Sequence, residues 1–263
     1  MIRLIENLPA GAWVLDLGAG SGSFASPRDD VAVVRVDLDP PPGRASAGYV
    51  AADAARLPFR GATFHLIISN HSLEHFPELE LAVREMGRVL RPEGALYIAV
   101  PDATTLTDRV YRWLGRGGGH VNPFRTPRDV IQPVERLAGV RHRGTCDLGS
   151  GLSFLNAHNF VAPPPRKIAL FAFGNERFLA CLVWLLRWAD RLFGTGLSRY
   201  GWAFYFGSAE PPEPVEPWRN VCVRCGSAHS RDYLRLHAAG WRKALGVESY
   251  RCPGCGGFNL LSP

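Results

Sequence analysis

Lysine is nearly absent from this 263-residue sequence, since Lys167 and Lys243 are the only two among 30 basic residues. The remaining 28 are arginines, found beside 28 glycines and 21 prolines, a bias that GC-rich coding also produces. The formal net charge of +6 is therefore weak support for a polyanionic partner. Nucleic-acid binding is left open by the composition without being favoured.

Long hydrophobic runs are missing as well. The longest purely apolar stretch covers residues 178–186, whereas a bilayer-spanning helix needs about 20 residues. The first ten residues include Arg3, Glu6 and Pro9 and lack the apolar core of a signal peptide. With 46% hydrophobic and 21% charged residues, the sequence predicts a globular fold, and the expected location is the cytoplasm.

Cysteines are few, and four of the six form two C-x-x-C pairs near the C-terminus. The pairs, Cys222/Cys225 and Cys252/Cys255, are each followed by glycine, and four thiolates so arranged suit a closed tetrahedral zinc site. A single pair would also fit a redox centre, and the interval between the pairs is longer than usual. The tail resembles a zinc ribbon with structural zinc, and its arginines permit contact with a polyanion. Cys146 and Cys181 are expected in the core.

The first hundred residues alternate between strand and helix patterns. Short β-branched apolar runs bounded by turn residues predict strands, and one segment with apolar residues at helical spacing predicts a helix. Alternation of this kind favours a parallel sheet covered by helices, an α/β fold. The predicted strands are 13–17, 31–37, 49–52, 65–69 and 95–100, and the helix is 78–90.

The rest of the chain predicts a helix at 126–138, a strand at 140–146, a long helix at 166–193 and a last strand at 202–206. Apolar positions 171, 178, 182, 185, 189 and 192 predict a stripe on the long helix, by which the helix would cap the acceptor pocket. Tryptophans beside arginines in the same segment leave open a peripheral membrane contact through 166–193. A proline-rich linker at 210–217 is expected to separate a domain at 1–209 from a small domain at 218–263.

A glycine-rich loop follows the first predicted strand. Residues 14–22 read V-L-D-L-G-A-G-S-G, with Asp16, Gly18, Gly20 and Gly22 at alternate positions. Glycines here let the backbone turn tightly and approach a ligand closely. A dinucleotide-binding fingerprint would need glycine or alanine at position 23, which is serine.

Three further motifs occur in order: Asp37 at the end of the second strand, A-D-A-A-R-L-P-F at 52–59 and L-R-P-E-G-A-L at 90–96. With the glycine loop they resemble the class I S-adenosylmethionine-dependent methyltransferases of the type 11 group. The resemblance implies a Rossmann-like seven-stranded sheet, with 202–206 as its antiparallel last strand, and S-adenosylmethionine as cofactor. Asp37 would accept hydrogen bonds from the ribose and Asp53 from the adenine amino group. The implied cofactor residues are Asp16, Gly18, Ala19, Gly20, Gly22, Asp37, Leu38, Asp53, Ala54 and Asn70.

A histidine-rich stretch follows the fourth strand. His71, Glu74 and His75 fit the H-x-x-E-H pattern of one class of zinc peptidase, but that pattern belongs inside a helix and His71 directly follows strand residues. Ligands of open α/β sheets bind at this edge. We therefore interpret His71, His75 and His120 as candidate catalytic bases facing the methyl acceptor, each with a structural role as the alternative.

The preferred function is methyl transfer to a small molecule or a saccharide or lipid precursor. Two alternatives stay open: an RNA or protein methyltransferase that holds its target with the zinc ribbon, and a non-catalytic zinc-binding module that retains the cofactor fold. The sequence determines neither the acceptor nor the oligomeric state.

Overall fold

The structure, a computed structural model, describes residues 2–20, 22–24, 26, 28–39, 48–114, 119–156, 176–211 and 220–263. These form two compact units, the first from Met1–Asp102, Gly119–Cys146 and Trp202–Pro211, and the second from Ala103–Gly118, Asp147–Gly201 and Pro212–Pro263. Residues 212–217 of the expected linker and 166–175 of the expected long helix lie outside the described residues. The domain boundaries at 209 and 218 stay a prediction.

Seven strands form one mixed sheet, which confirms the α/β fold class. They are β1 Trp13–Leu17, β2 Ala32–Asp37, β3 Tyr49–Ala51, β4 Phe64–Asn70, β5 Leu90–Pro101, β6 His142–Gly149 and β7 Arg199–Gly207. Their order in the sheet is β3-β2-β1-β4-β5-β7-β6, and β2, β4 and their outer neighbours β3 and β5 all run parallel to β1. The carboxyl ends of five parallel strands therefore meet at one edge.

Helices α1 Ile2–Glu6, α2 Leu79–Val89 and α4 Arg128–Ala138 belong to the first unit. The buried face of α2 carries Val83 and Met86, as the predicted helix at 78–90 requires. Strands β1 and β4 are buried along nearly their whole length, because helices and loops cover both faces of a parallel sheet. The sheet edge that presents the glycine loop is thus anchored in the core.

Helix α5, Glu176–Phe193, does not bury the stripe that periodicity predicts. Phe178, Leu185 and Leu192 are 50%, 53% and 65% exposed. The buried face instead contains Leu179, Ala180 and Val183 with the polar Arg187 and Asp190. The stripe prediction is wrong because periodicity counts only apolar residues. Cys181, expected in the core, is exposed on the same helix.

Hydrogen bonds explain the two charged residues on the buried face of α5. Arg187 donates from Nη1 to Ser262 Oγ at 2.7 Å and from Nη2 to the Val221 carbonyl at 3.4 Å. Burial lowers the pKa of Arg187 to about 10, so it stays charged at neutral pH. Asp190 accepts from the Leu197 and Ser198 amides at 2.6 and 2.7 Å. Both side chains hold the helix to neighbouring segments of the second unit.

The C-terminal part of the second unit contains short strands and one helix. These are β8 Asn220–Val221, β9 Ala228–His229, α6 Arg231–His237, β10 Ala239–Ala244, β11 Val247–Arg251 and β12 Phe258–Leu260. Helix α3, Leu106–Leu114, also belongs to the second unit. Leu179 and Val183 of α5 pack in one cluster with Val223 and Leu260. In the part of the chain that the structure describes, no helix is both long enough and apolar enough to cross a bilayer.

Candidate functional site

The glycine loop after β1 turns through left-handed backbone conformations. Gly18, Gly20 and Gly22 have φ of +69°, +51° and +109°, which β-carbon-bearing residues adopt at a cost. The amides of Gly18 and Ala19 both donate to the Val36 carbonyl, at 2.8 and 2.9 Å. The Gly20 amide donates to Asp37 Oδ2 at 2.7 Å. These hydrogen bonds hold the glycine loop to the end of β2.

Gly18 is required for a second reason. A β-carbon at this position would lie 2.3 Å from Ser72 Cβ and 2.9 Å from Ser72 Oγ. Ser72 is itself fixed, because its Oγ donates to the Leu17 carbonyl at 2.9 Å and bonds Ser69 Oγ at 2.5 Å. The loop therefore lies directly against the segment after β4.

Asp16 is a fully buried carboxylate beneath the loop. Its Oδ2 accepts from the Ser23 amide at 3.0 Å and lies 3.8 Å from Arg35 Nε. Burial raises the pKa of Asp16, and the Ser23 bond and Arg35 act in the opposite direction. No donor among the described residues reaches Asp16 Oδ1. A buried acceptor of this kind fits a cationic or hydrogen-bonding ligand group.

A cleft of about 430 Å³ opens at this edge of the sheet. Its lining unites the glycine loop with the ends of β2, β3 and β4, as expected where parallel strands end. Most of the predicted site residues line it: Gly18, Gly20, Asp37, Leu38, Asp53, Ala54, His71 and His75. Five predicted residues, Asp16, Ala19, Gly22, Asn70 and His120, are not part of the lining. The cofactor and catalytic assignments stay predictions.

The loop that carries Asp53 is tied to helix α2. Asp53 Oδ1 accepts from the Ala55 amide at 2.9 Å. Glu85 Oε2 accepts from the Leu57 amide at 2.9 Å, and Arg88 donates to the Leu57 and Phe59 carbonyls at 3.0 and 2.8 Å. Sequence reasoning missed Glu85 and Arg88, whose i,i+3 charge spacing on a helix signals a mutual ion pair and not a loop contact.

His71 is the first residue after β4 and occupies a left-handed conformation, φ +56°. Its amide donates to the Ala99 carbonyl at 2.8 Å, which continues the ladder to β5 and turns the ring into the cleft lining. Burial, followed by the proximity of His120 and His75, lowers the pKa of His71 to about 4. The imidazole is therefore neutral at pH 7 and keeps a nitrogen lone pair.

Glu74, His75 and His120 form a second group in the first unit. One ligand atom from each lies within 4.8 Å of the others, and the two imidazole centroids are 4.9 Å apart. His120, from the segment after α3, thus lies beside His75. The H-x-x-E-H pattern itself does not assemble as such, because His120 and not His71 completes the group.

The four C-x-x-C cysteines converge in the second unit. Their sulfurs all lie within 4.8 Å of one another, with Cys222 to Cys255 at 3.6 Å and Cys225 to Cys252 at 3.8 Å. A bonded disulfide would have its sulfurs about 2 Å apart. Zinc with four sulfur ligands at about 2.3 Å requires edges of about 3.8 Å, which these distances match. The cluster has the size of a tetrahedral zinc site.

The backbone around the two cysteine pairs is nearly the same. Gly226 and Gly256, one residue after each pair, have φ of +73° and +70°. Their amides donate to the Cys222 and Cys252 carbonyls at 3.0 and 2.8 Å. The Asn259 side chain donates to Cys222 Sγ at 3.3 Å, a bond that favours a thiolate. The repeat explains the glycine that follows each pair in the sequence.

Part of the first unit is similar to known methyltransferase sequences. Residues 15–98 match a family model described as a methyltransferase domain. An uncharacterized methyltransferase from Mycobacterium sp. (strain JLS) is 32% identical over 163 residues, which cover 59% of this chain and 61% of that protein. A malonyl-[acyl-carrier protein] O-methyltransferase from Methylococcus capsulatus is 36% identical over 140 residues, 48% of this chain and 51% of that one. The chain thus spans less than two thirds of the length of these relatives.

Solved structures show the same fold. A Bacillus halodurans protein assigned as a methyltransferase is 19% identical, with a TM-score of 0.52 over 79% of this chain and 97% of its own. A Galdieria sulphuraria protein assigned as a sarcosine dimethylglycine methyltransferase is 17% identical, with a TM-score of 0.51 over 79% of this chain and 82% of its own. At these identities the likeness concerns the fold alone.

Proposed function

This chain carries a methyltransferase domain of the class I family at residues 15–98, and from that premise we propose that it transfers a methyl group from S-adenosylmethionine to a small-molecule acceptor. A saccharide or lipid precursor belongs to the acceptor class that we propose. Relatives named for O-methylation of a carrier-bound malonyl group and of a ubiquinone precursor support small acceptors.

One observation carries the proposal: Gly20, Asp37 and Asp53 line a single cleft. Apart from the chain neighbours of Gly20, the described residues place no atom within 4 Å of the position where its β-carbon would project, which leaves room for a ligand against the backbone. The Asp37 oxygens each accept one amide, from Gly20 and Asp39, and each keeps a second lone pair for a ribose hydroxyl. Leu38, 70% exposed, supplies an apolar surface beside them. The residues present fit the cofactor.

The chain's own residues would have two tasks in the reaction. They would position the reactants, and one of them would accept a proton. S-adenosylmethionine, when bound, supplies the activated methyl group. Asp37 and Asp53 would hold the nucleoside part of S-adenosylmethionine. The buried Asp16 would stabilise the glycine loop. Holding a nucleophile in line with the methyl group is the main source of the rate increase. Neutral His71, in the cleft lining, would accept the proton that an oxygen or nitrogen nucleophile loses.

We expect Asp37→Asn to weaken S-adenosylmethionine binding about 10- to 100-fold, since hydrogen bonds to a charged acceptor contribute about 1.5–3 kcal/mol. Titration calorimetry with S-adenosylmethionine and S-adenosylhomocysteine measures this. Asp39→Asn is the matched control, because the same change falls two residues away at an exposed side chain outside the cleft lining. Equal affinities of the two variants, or no binding by the unaltered chain, would refute the cofactor assignment.

We expect His71→Ala to lower turnover about 100-fold or more while cofactor affinity stays near its original value. The acceptor is first found by detecting methylated products in cell-extract fractions, with and without nuclease and protease treatment. His142→Ala, on β6 and outside the cleft lining, serves as the control. Unchanged turnover in His71→Ala would remove this residue from the proton-transfer role.

We also propose that the cysteine cluster of the second unit binds one structural zinc ion. The matching sulfur spacing and the repeated backbone around Cys222 and Cys252 support this, and the full set is Cys222, Cys225, Cys252 and Cys255. With all four positions taken by protein sulfurs, such a zinc has no open site for chemistry. Its role would be to stabilise the fold of the second unit.

A further inference from the structure

We propose that Glu74, His75 and His120 form a second metal site, for a first-row divalent transition ion, beside the cleft of the first unit. The site itself does not depend on methyl transfer. Its use, to bind an oxygen of the acceptor, rests on the proposed function. Glu74 has no part in the cofactor or acceptor assignments above, and the three residues come from two segments 45 positions apart in the sequence.

The distances within the group suit one ion. One oxygen and two nitrogens lie within 4.8 Å of one another. Metal–nitrogen and metal–oxygen bonds of about 2.1 Å place neighbouring ligand atoms about 3–3.5 Å apart. Side-chain rotations that move the ligand atoms by about an ångström therefore complete the site. Movement of that size is ordinary for an exposed side chain such as that of His75.

The backbone holds the two segments together before any ion binds. The Glu74 carbonyl accepts from the Val121 and Asn122 amides, at 2.8 and 3.0 Å. The Asn122 side chain donates to the Leu73 and Phe76 carbonyls, at 3.0 and 2.7 Å. Four hydrogen bonds therefore fix the segment that carries His120 against the short 3-10 helix Leu73–His75.

A further contact prepares His75 as a ligand. Its Nδ1 lies 3.0 Å from the Gly119 carbonyl oxygen, which can only accept, so Nδ1 is the donor and carries the proton. Nε2 of the neutral ring then keeps its lone pair. Metal-ligating histidines typically show this arrangement, in which a backbone carbonyl fixes the tautomer and the ring orientation.

Burial falls from one side of the group to the other. Glu74 is 1% exposed, His120 is half-buried and His75 is exposed and lines the cleft. A bound ion would be held from the protein side by the carboxylate and would keep open positions toward the cleft. Those positions would take water or an acceptor oxygen, whose proton the ion would make easier to remove.

The ligand types select the ion. Two imidazoles and one carboxylate with open positions suit Fe²⁺, Co²⁺ and Zn²⁺ better than Mg²⁺ or Ca²⁺, which prefer oxygen ligands only. Thiolates, as in the cysteine cluster, prefer softer ions. The two groups of this chain can therefore be told apart by the spectrum of a bound metal.

Cobalt binding to the full chain tests the site. Protein with one zinc already in the cysteine cluster is titrated with Co²⁺ while heat and visible absorption are recorded. We expect one further equivalent to bind, with ligand-field bands and without the thiolate-to-cobalt charge-transfer band. Glu74→Gln, His75→Ala and His120→Ala should each weaken this binding at least about tenfold. His142→Ala, in the same unit but outside the group, should leave it unchanged.

No saturable cobalt binding, absorption from cobalt thiolate alone, or an affinity in all three variants equal to that of the unaltered protein would overturn the site. The first outcome would mean that Glu74 and the histidines have a structural role only. Should Glu74→Gln fail to fold by its melting curve, the exposed His75 decides the result. Calorimetry with S-adenosylmethionine on the same samples separates the proposals, since cofactor binding without cobalt binding defeats only the metal site. The reverse result defeats only the proposed function.

Discussion

Cys252→Ser is expected to abolish zinc binding by the second unit and to unfold its C-terminal part. A serine hydroxyl is a poor replacement for a thiolate, and apparent binding energies of structural zinc are on the order of 10 kcal/mol. The hydrophobic cluster that includes Val223 and Leu260 would open with the site, and Leu179 of α5 would lose these two residues of its cluster. Metal analysis should find less than one zinc for every ten chains, and limited proteolysis should cut between residues 220 and 263.

Cys181→Ser is the matched control for this experiment. Cys181 lies on α5 in the same unit, is exposed and is outside the cluster. The variant should keep one zinc per chain and the original melting temperature. Purified, unaltered protein without zinc and with four reactive thiols in the cluster would contradict the assignment, and so would a Cys252→Ser variant that keeps its metal.

Gly18→Ala is expected to destabilise the first unit by about 2–5 kcal/mol. Left-handed backbone costs a residue with a β-carbon about 1–2 kcal/mol, and forcing a methyl group into packed surroundings adds about 1–3 kcal/mol. The new carbon would clash with Ser72. Ser72 is kept in place by its hydrogen bond to the Leu17 carbonyl. Urea unfolding followed by tryptophan fluorescence measures the change in the free energy of unfolding.

Two other glycines separate the contributions to this effect. Gly11 has φ +73° and no protein atom within 4 Å of the added carbon, so Gly11→Ala shows the backbone cost alone. Gly20, with φ +51°, is equally open on the protein side but lines the cleft. Gly20→Ala should therefore match Gly11→Ala in stability and lose cofactor affinity. A Gly18→Ala variant as stable as Gly11→Ala would show that Ser72 moves away at little cost.

The parallel part of the sheet could be predicted well from the sequence. The bounds of β1 agree at both ends with the prediction, and α2 differs by one residue at each end, because apolar runs between turn residues have few other solutions in a sheet buried on both faces. The glycine loop, Asp37 and Asp53 line one cleft for a similar reason, since each lies at or just after the carboxyl end of a parallel strand.

The contacts between distant segments could not be predicted. Glu74 beside His120 depends on backbone bonds between the 3-10 helix and residues 121–122, which have no sequence signature. The predicted orientation of α5 was wrong because Arg187 and Asp190 are buried. Each forms a hydrogen bond there, Arg187 with Ser262 and Asp190 with Ser198. Periodicity predicts the buried face of a helix only when the charged residues lie on the exposed face. Charged residues that are buried with hydrogen-bond partners make this prediction wrong.

The packing of α5 against Val223 and Leu260 also sets an order of events during synthesis. Residues 176–193 leave the ribosome well before 252–260 are made, so Leu179 and Val183 then have only the earlier residues of their cluster, among them Leu152 and Leu155, to pack against. The first unit needs only residues up to 211 and can fold earlier. The apolar cluster around α5 would thus stay incomplete until the last two of the proposed zinc ligands and the strand after them have been made.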